Sequence, residues 1–527
     1  MLKSKSNFLS AGPSLFFLWI FCILLTRLPS LYHDFTQVDE VLFALGTKIW
    51  LKGGIPYIDF VETKALGIYY FYAFASLLSG KSGQVSLLSI HLLTLVCVFL
   101  TTFFIYQIAL KLYSEKAAFY SSLFFIFFST NFLPNIIAAN MEVILLLPYT
   151  ISVFLILKHA KAVRLKHCFF SGIFFSAALL IKQQAGMLLP LQLIYFLFLL
   201  PRPQLWTLRK GLLASLVFLI GCVPLPLLML LHLQKLGSLN AFFFWVVSES
   251  LNYVWRGDLA IDGWAKFFSR GLPFILATAL PWILCGQRLI YFLRNRNFIP
   301  LHSKLQENYL WIWFFLSFFP IAAGHRFFDH YFLIIFPPLS LLAGLAVDQW
   351  APEQWRRYKI AFFIAFFLPS LGFTLLRYNM HSMYAYTQKE DLETYRPYGE
   401  QLKKLTREDD RVFVWGYAPS IYWYSGRLPA TRFLWSDLLS GRVPGMNVNK
   451  FSTEEIAKFK MPESWNMLWE DFEKHPPQII MDTGTAGFHD YQKIPMSVYP
   501  QLWEYVQKNY EELESFQGAR VFRRKNL

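Results

Sequence analysis

Residues 13–40 read PSLFFLWIFCILLTRLPSLYHDFTQVDE, an apolar run that leads directly into a pair of carboxylates, Asp39 and Glu40. A helix needs about 20 apolar residues to cross the hydrocarbon core of a bilayer. The run follows Lys3 and Lys5, and no small-residue cleavage site comes after it, so we interpret it as an uncleaved first span that begins in the cytoplasm. The acidic pair is then expected just outside the membrane.

The composition extends this pattern to the whole chain of 527 residues. Hydrophobic residues make up 55% and charged residues 16%, with 55 Phe, so a purely soluble enzyme is excluded. The net charge of +15 does not indicate nucleic acid, because the Lys and Arg residues cluster between apolar runs instead of forming one surface stripe. The five cysteines lie in or beside apolar runs, so neither a disulfide framework nor a cysteine-based zinc site is predicted.

Hydropathy and charge together predict a polytopic α-helical membrane protein with about eleven spans. Every dense basic cluster between spans falls on the cytoplasmic side if the short apolar stretch 65–80 is a re-entrant or interfacial helix on the outer side. Counting that stretch as a span would invert everything after it. The predicted spans are 13–31, 86–110, 117–134, 141–157, 168–181, 186–200, 211–231, 272–290, 308–323, 331–347 and 359–377.

The chain divides into two parts at the end of the last predicted span. Residues 1–377 form the membrane part, with a long first outer loop at about 32–85. Residues 378–527 are polar and mixed in charge, which predicts a small α/β domain. An odd number of spans places this domain outside the cytoplasm. Its strand-like pieces are 411–416, 478–484 and 519–524.

Charged residues at the outer span ends predict a polar cavity that opens outward. Charges at such depths are costly and usually face a protein or aqueous interior. Taken singly, Glu142 or Lys182 fits a packing or snorkelling role as well as a functional one. Taken together, the charged residues on this side indicate a site. They are Asp39, Glu40, Glu62, Lys64, Glu142, Lys182, Arg326 and His330.

Five motifs carry a resemblance to a known family. They are VDE (38–40), GGIPYIDFVETKALGIYYF (53–71), NME (140–142), LIKQQAG (180–186) and GHRFFDHYFLIIFPPLSLLAG (324–344). Together they resemble the GT-C glycosyltransferases. More narrowly, they are similar to the protein mannosyltransferase-like bacterial branch, which includes the lipid A aminoarabinose transferases. The resemblance covers about 1–350, with weaker similarity at VWGYAPSIYWYSGR (414–427).

The resemblance implies an enzyme that takes a sugar from a polyprenyl-phosphate donor on the periplasmic or lumenal face. By this resemblance, Asp39 and Glu40 match the acidic residues of the first loop, Lys64 matches a contact to the donor phosphate, and Glu142 lies at the acidic position of the second loop. The sequence departs from the family where Ala65 and Leu66 replace the usual Pro-Pro after the lysine. The acid of the second loop is also shifted within Asn-Met-Glu.

The chemistry of such a transfer agrees with these residues. A lipid phosphate is a good leaving group, so the protein must supply a base for the incoming hydroxyl and positive charge for the departing phosphate. Asp39 is the candidate base, Glu40 is the second catalytic candidate, and one displacement would invert the anomeric centre. Glu62 and Glu142 are expected to orient the acceptor or a cation. The phosphate-binding candidates are Lys64, Lys182, Arg326 and His330.

Oxygen ligands from the four acids could also hold Mg²⁺ or Mn²⁺, although no fixed spacing identifies a metal site. We therefore predict an integral glycosyltransferase of the bacterial inner membrane, a hexosyl- or pentosyltransferase acting on a lipid, glycan or protein acceptor. A transporter or flippase for a lipid-linked sugar is the alternative, and a polymerase or ligase that moves a whole lipid-linked glycan is the main rival among enzymes. Transporters tend to show paired repeats and broken helices at matching positions, and neither is visible in this sequence.

Overall fold

The computed structural model describes residues 12–80, 84–158, 164–199, 207–250, 263–295, 301–379, 392–443, 446 and 448–525. Several predictions concern residues outside these ranges. The basic residues Lys3 and Lys5 lie outside the described residues, as do parts of the connections that follow the predicted spans 141–157 and 186–200.

The first half of the described chain is almost entirely helical. Apolar helices alternate with short connections, and the long first loop folds into two short helices, α2 and α3, at one end of the bundle. The α-helices are α1 Pro13–Arg27, α2 Val38–Leu51, α3 Gly67–Leu78, α4 Leu87–Leu112, α5 Glu115–Phe128, α6 Met141–Leu157, α7 Leu165–Ile181, α8 Leu189–Ile194, α9 Leu208–Gly221, α10 Pro224–Leu236 and α11 Leu239–Phe242.

The second half of the bundle contains more broken helices. The 3₁₀-helix Asp329–Ile335 leads directly into α17, Phe336–Asp348, so the two form one continuous apolar segment. The remaining described helices of the bundle are α12 Gly263–Lys266, α13 Leu272–Ala277, α14 Ala279–Arg294, α15 Leu301–Leu316, α16 Phe318–Ala322, α17 Phe336–Asp348 and α18 Pro352–Tyr378.

Helix length tests the predicted spans only in part. Among the described residues, five helical stretches are long and apolar enough to cross a membrane, and one pair bent by 84° would make a sixth. The other predicted spans coincide with shorter or broken helices, so the count of eleven stays a prediction. Helix α3 has 12 residues, which is shorter than a span requires and agrees with a re-entrant or interfacial position. The five stretches are Pro13–Leu31, Leu87–Leu112, Leu208–Leu236, Asp329–Asp348 and Pro352–Tyr378.

A close helix contact places the first loop beside the end of α7. A Cβ added at Gly67, the first residue of α3, would lie 2.4 Å from the backbone of Leu180. Only glycine allows the two backbones to approach this closely. The contact holds the start of α3, and Lys64 just before it, next to the segment that carries Lys182.

The C-terminal residues form a mixed five-stranded sheet with flanking helices. The strand order is β2-β1-β3-β5-β4; β1 pairs in parallel with β2 and β3, whereas β5 is antiparallel to β3 and β4. The three strands expected from the sequence coincide with β1, β3 and β5. The strands are β1 Arg411–Trp415, β2 Leu428–Pro429, β3 Ile479–Asp482, β4 Tyr510–Glu512 and β5 Arg520–Arg524. The longer flanking helices are α19 Arg396–Leu405, α20 Ser420–Ser425, α23 Pro462–Lys474 and α24 Pro500–Asn509; two short ones, α21 Asp437–Ser440 and α22 Thr453–Ala457, lie between α20 and α23.

The sheet region packs against the first loop. The backbone N–H of Val61 donates to the carbonyl of Arg432 at 2.9 Å, and Lys48 Nζ donates to the carbonyl of Gly426 at 3.1 Å. A salt bridge of 3.0 Å joins Arg396 to Asp34. The C-terminal region therefore lies at the same end of the helix bundle as Asp39.

Candidate functional site

Glu40 is one of the most completely hydrogen-bonded side chains at this end of the bundle. It is 1% exposed and occupies the third position of α2. Its Oε2 accepts hydrogen bonds from the backbone N–H groups of Thr36 at 2.7 Å and Gln37 at 3.2 Å, and from the Thr36 hydroxyl at 3.0 Å. Its Oε1 accepts from His91 Nε2 at 3.1 Å and from the backbone N–H of Ala139. Five donors therefore converge on one carboxylate.

This environment stabilises the ionised form of Glu40. Burial by itself raises the pKa of Glu40, but the hydrogen bonds from His91, Thr36 and Ala139 and the charge of His91 outweigh it and hold the pKa below its ordinary value. A carboxylate whose lone pairs are all engaged has little capacity to accept a proton from a substrate. The role of Glu40 in catalysis stays a prediction, and its surroundings favour an anchoring role.

Asp39 has the opposite environment. It is partly exposed, and no hydrogen bond or ion pair from the described residues reaches its carboxylate. It lies close enough to Lys182 and His330 for its charge to act on both. Adjacent residues of one helix thus present one engaged carboxylate and one available carboxylate, and only the second has the properties expected of a general base or a ligand.

A charged cluster joins the start of α6, the residue after α7 and the 3₁₀-helix before α17. Glu142 Oε1 forms an ion pair with Lys182 and lies 3.7 Å from His330 Nε2. The second oxygen, Oε2, is buried and accepts no hydrogen bond from the described residues. Lys182 Nζ also lies 3.9 Å from the ring centre of Tyr331. The structure therefore brings three of the sequence-predicted residues into one cluster.

Polar side chains connect this cluster to the start of α2. Gln37 Nε2 lies 3.3 Å from His330 Nδ1, and Asn140 Nδ2 donates to Gln37 Oε1. Asp329 Oδ1 lies 3.3 Å from His330 Nδ1. Gln37 and Asn140 were not singled out from the sequence, although each lies within three residues of a predicted acid.

Glu62 and Lys64 form a second ion pair in the first loop. Lys64 Nζ lies 3.0 Å from Glu62 Oε1, and the hydroxyl of Tyr69 donates to Glu62 Oε2 at 3.1 Å. Tyr57, which adopts a left-handed φ of 67°, donates its hydroxyl to the Lys64 carbonyl at 2.8 Å. Glu62 is 1% exposed, whereas the Lys64 side chain is 26% exposed. The lysine is thus held in place while part of it faces the outside.

Arg326 occupies the turn that precedes the 3₁₀-helix of His330. It is 1% exposed, and its neighbours His325 and Phe327 both adopt left-handed φ values, 52° and 48°. Its carbonyl accepts a hydrogen bond of 3.2 Å from Arg270. Strained backbone of this kind occurs where the surrounding structure over-determines a conformation, and it is frequent at functional sites.

The carboxylates do not assemble into the metal site that the sequence allowed. Among the described residues, no group of three or more His, Cys, Asp or Glu side chains is placed to hold a metal ion. Glu40 is engaged by five donors, Glu62 pairs with Lys64, and Glu142 pairs with Lys182. This donor set does not fit a Mg²⁺ or Mn²⁺ ion, and we derive no step through a metal.

His91 is a further residue at this end of the bundle that was not singled out from the sequence. It lies in the first turns of α4, is 3% exposed, and contacts both Glu40 and the carbonyl of Ser30. A single histidine within an apolar span is a recognisable signal, because ionisable groups in such segments are costly and usually pair with one another.

Comparison with known proteins gives the class to which this fold belongs. Residues 63–227 match the family model described as dolichyl-phosphate-mannose-protein mannosyltransferase. The crystal structure of ArnT from Cupriavidus metallidurans bound to undecaprenyl phosphate is similar with a TM-score of 0.63 and 14% identity, over 97% of this chain and 98% of that one. Its apo structure gives a TM-score of 0.60 at 13% identity, over 96% of this chain and 97% of that one.

A second group of solved structures is similar over a smaller share of its length. The archaeal oligosaccharyltransferase AglB from Archaeoglobus fulgidus, in complex with an inhibitory peptide and a dolichol-phosphate, gives a TM-score of 0.54 at 12% identity, over 97% of this chain and 74% of that one. No curated sequence matches the chain. The chain has the GT-C fold, which confirms the resemblance predicted from its sequence motifs.

Proposed function

We propose that the protein is a membrane glycosyltransferase that moves a sugar from a polyprenyl-phosphate donor to an acceptor on the outer face of the membrane. The observation that carries this proposal is the available carboxylate of Asp39, which lies beside positively charged groups at one end of a GT-C bundle. The polyprenyl phosphates bound to ArnT and AglB support a donor of this chemical class.

The proposed step is a single displacement at the anomeric carbon. The acceptor oxygen forms a bond to that carbon, the bond from the carbon to the phosphate oxygen breaks, and the acceptor proton passes to Asp39. Polyprenyl phosphate leaves with the electron pair, and Lys64 stabilises the negative charge that develops on it. The transferred sugar, a hexose or a pentose, is joined to the acceptor with inverted configuration at its anomeric carbon.

The two ion pairs of the site can respond to a bound phosphate. Lys64 and Lys182 each contact a carboxylate, so each lysine charge has an opposite charge beside it before a donor arrives. A phosphate close to either lysine would compete with that carboxylate. Lys64 is the more accessible of the two, because 26% of its side chain is exposed whereas 10% of the Lys182 side chain is.

The experiment is transfer by the purified full-length protein in detergent. Undecaprenyl-phosphate hexoses and pentoses, and separately a lipid-linked oligosaccharide, would be offered with lipid, glycan and peptide acceptors, and products would be identified by mass spectrometry. Detergent removes the two compartments, so transport cannot contribute to the signal. Transfer that is lost in Asp39→Asn supports the proposal. No transfer with any donor and acceptor pair would contradict it and favour a transporter or flippase, whereas transfer of whole oligosaccharides only would indicate a ligase.

The proposed orientation places the N-terminus in the cytoplasm of a bacterial cell and the C-terminal region outside the inner membrane. The clustering of basic residues supports this orientation. Single cysteines at Lys166 and Lys450, both exposed, would be labelled in intact cells with a membrane-impermeant maleimide after the outer membrane is permeabilised. Lys450→Cys should react and Lys166→Cys should react only after lysis. The reverse pattern would contradict the orientation.

A further inference from the structure

His91 faces an oxygen acceptor on each side of its ring. Nδ1 contacts the carbonyl oxygen of Ser30, and Nε2 lies 3.1 Å from Oε1 of Glu40. A carbonyl oxygen can only accept a hydrogen bond, so Nδ1 must carry a proton. A neutral imidazole has one N–H, so Nε2 would then carry no proton. The Nε2–Oε1 contact is a hydrogen bond only if the ring is charged and Nε2 donates, or if the carboxyl is protonated and Nε2 accepts.

The other contacts of Glu40 decide between these two states. The two oxygens of Glu40 already receive the backbone N–H groups of Thr36, Gln37 and Ala139 and the Thr36 hydroxyl. All of these groups donate, and such donors stabilise an ionised carboxylate. A protonated Glu40 would lose part of this stabilisation. The contacts therefore describe a buried ion pair between an imidazolium ring and a carboxylate.

This ion pair ties together four segments that are distant in sequence. Ser30 lies in the turn after α1, Glu40 lies in α2, His91 lies in α4, and Ala139 lies three residues before Glu142. The hydroxyl of Tyr72 in α3 donates to the carbonyl of Ala139 at 2.8 Å and adds a fifth segment. Asp34, before α2, is the other carboxylate whose charge acts on His91.

The carboxylate of Asp39 depends on this arrangement for its position. The Asp39 carboxylate forms no hydrogen bond with a described residue. Its position is therefore set by the backbone of α2, in which Asp39 directly precedes Glu40. The backbone N–H of Ala139 is held by the same Glu40 that holds the start of α2. The spacing between Asp39 and the start of α6, whose second residue is Glu142, is therefore set through the Glu40 carboxylate that His91 holds in its ion pair.

We propose that His91, through its ion pair with Glu40, is a positioning residue that holds the Asp39 carboxylate at the reacting centre. This inference rests on the proposed function. His91 contacts neither the donor nor the acceptor in this view. Its removal should change the orientation of Asp39 while leaving the residues that bind the donor in place.

The first test is kinetic and uses the full-length protein with the donor that supports transfer. Misplacing a catalytic group by about 1 Å costs on the order of 10² in rate. His91→Ala should therefore lower kcat about 10- to 100-fold, with KM for the donor within about twofold of wild type. His91→Gln, which keeps one N–H donor for Glu40 but no charge, should recover part of that loss. His232→Gln is the matched control, because the hydrogen bond that His232 Nδ1 forms within the described residues is to the neutral hydroxyl of Tyr70, at 2.6 Å. The kcat of this variant should be unchanged.

A double-mutant cycle separates a coupled pair from two independent residues. If His91 acts through Glu40, His91→Gln combined with Glu40→Gln should lower kcat no further than the worse single substitution. Independent losses that multiply would overturn the proposal. So would a His91→Ala enzyme with kcat within twofold of wild type, while Asp39→Asn is inactive; in that case the proposed function stands and the positioning role falls.

The remaining outcomes also have a defined meaning. Loss of folding in both His91→Ala and His91→Gln, seen by size exclusion and thermal melting, would overturn the proposal because the pair would then support the fold and not the carboxylate. Solid-state ¹⁵N NMR of histidine-labelled protein should show His91 protonated at both ring nitrogens at pH 7, whether or not transfer is observed. A neutral ring would overturn the ion pair itself. Absence of transfer by the wild type would refute the proposed function, and the positioning role with it.

Discussion

The two ends of the helix bundle both contain buried charge, and they use it differently. At the end away from Asp39, Arg288 of α14 and Glu307 of α15 are 3% and 1% exposed. Arg288 Nε donates to Glu307 Oε1 at 2.8 Å and Nη2 donates to Oε2 at 2.5 Å. The indole N–H of Trp311 donates to Oε1 at 3.3 Å, and Arg288 Nη1 donates to Gln349. Both oxygens of the Glu307 carboxylate therefore accept hydrogen bonds.

At the other end, charges are brought together without full pairing. Asp39 receives no hydrogen bond from a described residue, and one oxygen of Glu142 is buried without a donor among them. Unpaired buried polar atoms are costly, so a protein retains them where a ligand or a reaction uses them. Burial of charge therefore does not by itself mark a site. What separates these two ends is a carboxylate with an oxygen that receives no hydrogen bond from the described residues.

The largest expected effect is the loss of transfer when Asp39 is changed. Asp39→Asn keeps the size of the side chain but removes its ability to take up a proton at neutral pH, and loss of a general base costs about 10² to 10⁴ in rate. The melting temperature should be unchanged, because the carboxylate makes no hydrogen bond that would be lost. Turnover would be measured with a polyprenyl-phosphate donor. Glu307→Gln, at the opposite end, should show the wild-type turnover per folded molecule.

The second prediction concerns the paired end. Arg288→Ala leaves Glu307 as a buried carboxylate without its cation, and breaking a buried pair in this way costs about 3 to 5 kcal/mol of stability. The free energy of unfolding in mixed detergent micelles would fall by that amount, while the fraction that remains folded keeps its turnover. A stable variant with reduced turnover would show that this end also takes part in function.

These two predictions show where sequence reasoning reaches its limit. The motifs predicted the GT-C fold and a set of charged residues that the structure places at one end of the bundle, because residue type and spacing along the chain are local information. They could not separate Asp39 from Glu40, since the difference comes from His91, 51 residues further on, and from Ala139, 99 residues further on. The expected cation site of Asp39, Glu40, Glu62 and Glu142 also depended on contacts between residues that are distant in sequence. Sequence shows that acids are present, but the lysines that pair with Glu62 and Glu142 are assigned only by the fold.

A smaller effect is expected from Lys64. Hydrogen bonds to charged groups contribute about 1.5 to 3 kcal/mol, so Lys64→Ala should lower kcat/KM for the donor about 10- to 150-fold. Lys64→Arg should retain part of the activity, because the charge stays while the geometry changes. The exposed Lys52→Ala is the control and should match the wild type. If Lys64→Ala transferred sugar at the wild-type rate, another cation would have to bind the phosphate.

The smallest effect is expected when the complete pair at the far end is made apolar. Replacing a buried ion pair by apolar residues of similar volume is often neutral or stabilising by about 1 to 4 kcal/mol, because the cost of removing two charges from water disappears together with their attraction. Two polar groups lose a partner in Arg288→Met combined with Glu307→Leu. Gln349 is exposed and can bond to water, whereas the N–H of Trp311, 5% exposed, loses its acceptor at a cost of about 1 to 3 kcal/mol. The gain and the loss are of similar size, so the free energy of unfolding should stay within about 2 kcal/mol of wild type, and turnover should not change. The matching substitution at the other end, Glu142→Leu with Lys182→Met, should abolish transfer even where the protein remains folded, if those charges act on a ligand as we propose. Equal loss of turnover in both double variants would remove the distinction between the two ends.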